Sequence, residues 1–403
     1  MNDRFNLEMY RNTKWIIGVS GGPDSMALLD RAFQAGIECV VLHVNYHRRD
    51  SAQRDQELVS KFCVEHQIPC FIFDAPIQLK GNFQNQARLF RYEKMAELCL
   101  SQKAEGMMVA HHQDDDLETY VMQKNRNSEV SWFGLQTYST WKSIPLIRPL
   151  LDVTKDKLIQ ECKIKGLHYG WDESNDSLDY ERNRIRKMCS QLSKEKKDAL
   201  LHEKNVRNEV KQALLKFYHQ ELMATSLTLD DYVRTMEAWP SFLLEWLRFH
   251  SVERALSKSY LWELHRQCIE SDKFAIKIGK LQLVKHYGQI SISKEIEPYR
   301  YELQSPMEFS TPHFKVSLNE GEGFSVDHQD FPLTIYSATG FEKIVGKTRS
   351  KTLNRWFIEH KINYLERKRW PVVQNVKGEV IFIPKCGIST GLQPNKIHLY
   401  MIK

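Results

Sequence analysis

The 403-residue sequence contains no apolar run approaching the roughly 20 residues that cross a bilayer. Its first fourteen residues are polar and charged, with no apolar core of the kind a signal peptide needs. The chain is therefore expected in the cytoplasm, with no membrane partner. None of the eight cysteines sits in a CxxC pair, so neither a zinc site nor a dithiol motif is readable. They read as reduced, mostly buried thiols. There is no internal repeat, no low-complexity tract, no GxxxxGK[ST] loop and no GxGxxG fingerprint. What is present suffices for real cores: 42% apolar and 11% aromatic residues exclude wholesale disorder. A length of 403 residues predicts two or three domains.

Charge is uneven. Residues 1–100 and 101–200 are each neutral, so the net +6 lies wholly beyond residue 200. The stretch Glu342–Arg369 alone carries nine basic and three acidic residues. A neutral front half with a basic patch near the end suggests a small-molecule site plus a grip on a polyanion.

The front half alternates strand and helix. Short apolar runs at Trp15–Val19, Cys39–Val44, Cys70–Phe73 and Met107–Ala110 read as strands. Helical spacing occupies Ser25–Ala35, Ser51–His66, Asn85–Leu100 and Asp114–Lys124. That order predicts right-handed βαβ units and a parallel sheet, which binds ligands at the carboxyl ends of its strands. From about Leu192 to His286 the pattern is helical and strand-poor. Glu295–Pro312, with three prolines, reads as a connector. The tail mixes strands such as Glu379–Ile383 with one basic helix around Thr352–Lys361.

The first chemical signal is Ser20-Gly21-Gly22-Pro23-Asp24-Ser25, where strand one hands over to helix one. Two glycines allow torsions and approaches that a side chain would block. The serine hydroxyls and the free amides of a helix N-terminus converge as donors, forming a phosphate cradle. The SGGxDS form resembles the pyrophosphate loop of the N-type ATP pyrophosphatases. That resemblance implies ATP cut between its α- and β-phosphates, with AMP joined to the substrate. An acid beside phosphates is unfavourable without an intervening cation, so Asp24 is expected to hold Mg²⁺ against them.

The second signal is Ala110-His111-His112-Gln113-Asp114-Asp115-Asp116-Leu117-Glu118-Thr119. Four acids open a helix and suit its positive end, so N-capping alone accounts for part of the pattern. A zinc site from adjacent histidines is disfavoured, because their side chains diverge and no further ligand spacing appears. Asp115 and Glu118, at i and i+3 with Asp114 beside them, share a helix face and could clasp an ammonium group.

Four blocks taken together resemble the tRNA(Ile)-lysidine synthetases. They are SGGPDS, Ala87-Arg88-Leu89-Phe90-Arg91-Tyr92, AHHQDDDLET, and the stretch from Asp172 through Ser174-Asn175-Asp176 to Arg182-Asn183-Arg184-Ile185-Arg186; Arg148–Leu151 also fits. The match spans roughly residues 13–187. It implies a Rossmann-like α/β domain of the adenine nucleotide α-hydrolase kind over 1–190. A helical domain over 191–295 and a small basic α/β domain over 312–403 would follow, both contacting tRNA. The implied reaction adenylates the wobble cytidine of a CAU-anticodon isoleucine tRNA with ATP. The ε-amine of free L-lysine then displaces AMP at C2, and codon reading changes from AUG to AUA. Asp115 and Glu118 become the expected lysine-recognition pair.

The basic residues fall in two groups. Arg88 and Arg91, at i and i+3, could touch phosphates of ATP or tRNA. Arg182, Arg184 and Arg186 would share one side of an extended segment and, with Asn183, clamp anticodon-stem phosphates. In the tail, Lys343, Lys347, Arg349, Lys351, Arg355, Lys361, Arg367, Lys368 and Arg369 interleave with Trp356, Phe357, Tyr364 and Trp370, a mixture suited to RNA backbone contacts. The family's HVDHGLR and RGSG stretches are replaced here by His43–Arg49 and Lys124–Leu135, and Asp116 stands where the family usually shows Gln.

Three rivals share features of this pattern. A sulfur-inserting tRNA enzyme would carry cluster or persulfide cysteines, and no CxxC is present. A small-molecule adenylating synthetase has no use for the basic tail. A non-catalytic RNA binder would not need Asp24, Asp115 and Glu118 together. The sequence leaves oligomeric state open, a homodimer included.

Overall fold

Strand period decides the first unit. In β1 (Lys14–Gly18), Trp15 and Ile17 face one core while Ile16 faces another. In β2 (Glu38–Asn45), Cys39 and Val41 join the first core, and Val40, Leu42 and Val44 the second. A strand whose two faces are both apolar is stable only when covered on both sides, as in a parallel sheet. Each such buried side chain contributes about 1.5–3 kcal/mol. This computed structural model describes residues 5–47, 51–76, 83–170, 181–251, 256–345, 350–386 and 396–402.

The chain divides into two compact units, 1–216 and 217–403. In the first, β1 and β2 alternate with α1 (Pro23–Gln34) and α2 (Ser51–Glu65), followed by β3 (Cys70–Asp74), α3 (Phe83–Ser101), β4 (Gly106–Val109) and α4 (Gln113–Asn125). The hairpin β5 (Tyr138–Trp141) and β6 (Ile144–Ile147) comes next, then α5 (Lys155–Lys165), α6 (Glu181–Ser190) and α7 (Lys194–Phe217). The sheet order is β3-β2-β1-β4-β6-β5, parallel except for the β5–β6 pair. The chain runs outward from β1 through β2 to β3, then returns to place β4 on β1's other edge. That reversal opens a crevice at the carboxyl ends of β1 and β4. The turn before α1 and the start of α4 both lie there.

The expected α/β fold with a parallel sheet is therefore present. Two local readings differ. The segment around Arg182–Arg186 is helical in α6, so these arginines do not share one side as they would in an extended chain. The stretch read as helical and strand-poor also carries strands.

In the second unit, α8 (His219–Met223), β7 (Ser226–Thr228), α9 (Leu229–Arg234), α10 (Trp239–Phe249) and α11 (Lys258–Glu270) precede β8 (Phe274–Ile278), β9 (Leu281–His286) and β10 (Gln289–Lys294). These strands form a sheet of order β7-β10-β9-β8. Two-residue turns close its hairpins, Gly279-Lys280 and Tyr287-Gly288, and in the second both residues have φ near +50° to +72°. The expected connector is strand as well: β11 (Arg300–Leu303) and β12 (Phe309–Ser310) lie between its prolines. The remaining strands are β13 (Lys315–Ser317), β14 (Glu322–Val326), β15 (Leu333–Ser337), β16 (Lys343–Val345), β17 (Ser350–Thr352), β18 (Pro371–Gln374), β19 (Val380–Phe382) and β20 (Ile397–Ile402). Two short helices, α12 (Leu353–Glu359) and α13 (Tyr364–Arg367), sit among them. Trp356, Phe357 and Trp370 are core residues, packed beneath the basic surface.

Candidate active site

The turn after β1 is built by its own residues. Gly21 has φ +89°, and a Cβ there would lie 2.9 Å from the Cβ and carbonyl oxygen of Asp55. Only glycine fits that combination. Gly22 differs: it is extended, and a Cβ would meet only Ser20 Oγ at 3.7 Å. The fold itself does not need glycine there, so the open space beside Gly22 is free for a ligand. Ser25 braces the turn, donating to Gly22 O at 3.0 Å and accepting from Ser20 N at 3.1 Å. Pro23 starts α1 with its φ preset. The loop after α5 closes the back, with Gly170 N donating to Gly21 O at 2.8 Å.

Asp24 stands in the first turn of α1. Its Oδ1 is buried and has no hydrogen-bond partner. An orphaned buried carboxylate oxygen is costly unless something cationic meets it. Among the described residues no group of three or more His, Cys, Asp or Glu could hold a metal unaided. One carboxylate plus phosphate oxygens is nonetheless an ordinary Mg²⁺ set, so Asp24 fits that ion when phosphates are present.

A cavity of about 130 Å³ adjoins the turn, lined among others by Ser20, Asp24, Ser25, Tyr46, Arg91 and His111. Arg91 Nε is buried without a partner, whereas Arg88 is exposed. Both guanidinium groups lie over the Tyr92 ring, at 5.7 and 5.2 Å. Arg148 donates to His111 Nδ1 at 3.3 Å, which leaves the ring proton on Nε2. Burial, with Arg91, Arg148 and Arg182 nearby, pushes the His111 pKa down to about 3 against the pull of Asp115. His111 is therefore a neutral donor beside the phosphate turn.

His112 joins the two signals. Its Nε2 lies 3.6 Å from Asp24 Oδ2 and 3.4 Å from Asp115 Oδ2. Burial alone would lower its pKa, but Asp114, Asp24 and Asp115 outweigh burial and lift it to about 10. Its backbone N–H donates to Asp115 Oδ2 at 3.1 Å, capping α4.

The expected lysine pair is already occupied. Arg186 Nε donates to Glu118 Oε1 at 2.9 Å, and Arg182 Nη2 to Asp115 Oδ1 at 3.2 Å. Arg182 Nε reaches Glu118 Oε2 at 3.4 Å. At i and i+4 of α6, the two arginines share the face turned to α4, while Arg184 is exposed and Asn183 buried. Burial raises the Asp115 pKa, but protonated His112 and Arg182 hold it down at about 2. Asp114 plays a different part, since its Oδ2 accepts Lys155 N at 2.9 Å and so caps α5.

Lys204 and Asn208 of α7 carried no sequence signal. Asp116 turns away to the opposite side of α4. It pairs with buried Lys204 of α7 and accepts Leu135 N at 2.6 Å. Asn208, one turn along α7, bonds both backbone groups of Phe133 at 2.9 Å. Together they fix the loop that replaces the family's RGSG stretch. Asp172 and Ser174-Asn175-Asp176 fall outside the described residues, as do Lys347 and Arg349. In the tail, Arg355 and Arg369 are exposed, Arg355 pairing with Glu359 at 3.2 Å. Arg367 is internal bracing, bonded to Ile362 O, Asn354 Oδ1 and Tyr287 Oη at 2.9–3.2 Å.

Comparison with known proteins covers both ends of the chain. Residues 2–192 match a family described as the PP-loop domain, and residues 337–399 one described as the TilS substrate C-terminal domain. A tRNA(Ile)-lysidine synthase of Mesoplasma florum is 27% identical over 94% of this chain and 98% of its own length. The corresponding protein of Mycoplasma mycoides is 27% identical over 94% and 97%. That of Ureaplasma parvum reaches 39% identity over 45% of this chain and 56% of its own. Among the described residues no helix is long and apolar enough to cross a membrane.

Proposed function

Because the chain belongs to the PP-loop family of tRNA(Ile)-lysidine synthases, we propose that it is an ATP-dependent ligase that joins free lysine to the wobble cytidine of CAU-anticodon isoleucine tRNA in the cytoplasm. One observation carries this reading. A single imidazole, His112, spans Asp24 of the phosphate turn and Asp115 of the acid pair, so the two sites are one side chain apart.

In the first step, cytidine O2 attacks the α-phosphorus of ATP and the bond to the β-phosphate oxygen breaks. The turn at Ser20–Ser25 holds the departing pyrophosphate through backbone N–H groups and the Ser20 hydroxyl. Neutral His111 donates from Nε2, and Arg91 offers its unpartnered Nε, to charge growing on the phosphoryl oxygens. Asp24 would hold Mg²⁺, which supplies charge neutralisation at the phosphates when bound.

In the second step, the lysine amine, as free base, forms a bond to C2 and AMP leaves with O2. The acid pair receives lysine's ammonium before that proton is lost to solvent. Arg182 and Arg186 occupy that place beforehand, so lysine must displace a guanidinium. The displaced arginine then faces tRNA phosphates, which joins the pairing seen here to the phosphate role expected from sequence. Residues 1–190 would carry the chemistry, and 191–295 and 312–403 the grip on tRNA. The change of reading from AUG to AUA follows from lysidine pairing with A.

The test is incubation with unmodified isoleucine tRNA, labelled lysine and ATP. Label entering the tRNA only when position 34 is cytidine, with AMP and pyrophosphate released, is the expected result. Release of ADP and inorganic phosphate, or label transfer without tRNA, would overturn it.

A further inference from the structure

A second cavity, of about 790 Å³, lies within the unit 217–403 and is lined by residues from β8 and β9, from the segment after β15, and from α12 and α13. Its size falls in the range of about 300–1,000 Å³ typical of small-ligand clefts. Four cations and two carboxylates line it. Two of the cations are already engaged: Lys285 Nζ donates to the carbonyls of Cys268 and Ile269 at 2.7 and 3.2 Å, and Arg367 is the brace described above. Of the carboxylates, Glu295 pairs with Lys277.

Lys273 and Lys368 are left without an ion pair among the described residues. Lys368 Nζ sits 5.0 Å from the Tyr364 ring centre. His286 Nδ1 is buried with no partner, and burial, with Arg367 and Lys273 close by, keeps that ring neutral. The far wall is rigid. Glu342 accepts Thr339 N, Thr339 Oγ1 and Gly340 N, each at 2.8 Å, and Asn354 N donates to Gly340 O at 2.9 Å. The cavity is thus preformed. Among the described residues it offers two ammonium groups and one carboxylate, Glu297, without an ion pair, aromatic faces at Tyr364 and Phe274, and one unsatisfied imidazole nitrogen.

We propose that this cavity binds one unstacked nucleotide, its phosphate at Lys273 and Lys368 and its base against Tyr364. Phosphate neutralisation and base–aromatic stacking are the two terms by which proteins hold single-stranded nucleic acid. The same chemistry has two sources, an unpaired nucleotide of a bound RNA or a free mononucleotide. Only the RNA source rests on the ligase reading above.

The experiment uses the full chain, wild type against K273E/K368E, with Y364L as an independent variant and K273R/K368R as the charge-preserving control. The first arm measures binding of intact tRNA and of tRNA trimmed of its single-stranded 3′ nucleotides. The second measures CMP by equilibrium dialysis. For an RNA source, trimming costs the wild type about tenfold in affinity and costs the charge-reversed protein nothing. For a free source, the wild type binds CMP and both K273E/K368E and Y364L lose it by a similar factor. The arginine control retains binding in either case. Equal behaviour of wild type and variants in both arms overturns the site. If nucleotide binding depends on these lysines but no lysine enters tRNA, the cavity stands and the ligase reading falls.

Discussion

Replacing Arg186 with Met separates two roles for that side chain. Arg186 makes the shortest contact to Glu118, 2.9 Å, and its side chain is 33% exposed while that of Glu118 is 4% exposed. A charge-assisted hydrogen bond is worth about 1.5–3 kcal/mol when buried. Solvent screening of a guanidinium one-third exposed reduces this to about 1 kcal/mol. If lysine's ammonium must displace that guanidinium, R186M removes a competitor of this strength. The KM for lysine should then fall about fivefold, with the KM for ATP unchanged. Methionine keeps most of the stem's packing, so the loss appears in charge. A freed arginine that contacts a phosphate should also appear in tRNA binding, as a salt slope lower by about 0.7–0.9 in the variant. Steady-state kinetics with varied lysine and filter binding across a salt series are the assays. An unchanged or raised lysine KM would refute displacement and make Arg186 a fixed part of the lysine site.

Asp24→Ala should abolish pyrophosphate release while leaving tRNA affinity intact; normal adenylation would remove Asp24 from the phosphate site. Glu118→Ala should raise the lysine KM about 10–150-fold and spare adenylation, since one charged hydrogen bond is lost; a fall in ATP affinity instead would misplace the ammonium site. Glu161 of α5 holds Arg31 of α1 at 2.6 Å, and although burial opposes it, Arg31 and Lys165 lower its pKa. A depressed folded pKa gives stability that is present above about pH 4.5 and lost as pH falls. Glu161→Gln should therefore lower Tm by about 2–4 °C at pH 7, with the gap closing toward pH 3 in thermal melts. With Asp115 held at about 2, that carboxylate stays charged from pH 5 to 9. The single-turnover lysine step should thus rise with pH as the substrate amine deprotonates, while the lysine Kd stays flat; a Kd that weakens below pH 6 would contradict the depressed Asp115.

How much was legible depended on whether a segment's neighbours are close in sequence. The sheet and its helices were readable because buried parallel strands are continuous apolar runs, and CVVLHV admits little else. The glycine turn after β1 was readable because its glycines, serines and helix start are contiguous. The four strands of the β7–β10 sheet were missed because short amphipathic runs such as Phe274–Ile278 fit helix and strand alike. The signal that would have found them is the pair of two-residue hairpin turns, Gly279-Lys280 and Tyr287-Gly288. The partners of the acid pair were illegible for a different reason. Arg182 and Arg186 lie 64–71 residues from Asp115 and Glu118 in sequence. Alternating arginines suggested an extended clamp, and only their i, i+4 relation in a helix reveals the pairing.

That pairing bears on how such a site is kept folded at all. Asp24, Asp114, Asp115 and Glu118 crowd one end of the sheet, and like charges in a poorly solvated place repel. In the free protein the chain supplies its own counter-charges: the His112 imidazolium between three of them, and Arg182 and Arg186 on the other side. The α4 N-terminus adds a further fraction of a positive charge. On the proposed reading, lysine and a phosphate-bound cation would bring equivalent charges, so binding would exchange one set of partners for another rather than create or strand a buried charge. The free energy of recognition is then a difference between two well-satisfied states. Selectivity for an amine would then rest on how much better a compact ammonium fits the gap between Asp115 and Glu118 than the planar guanidinium that fills it beforehand.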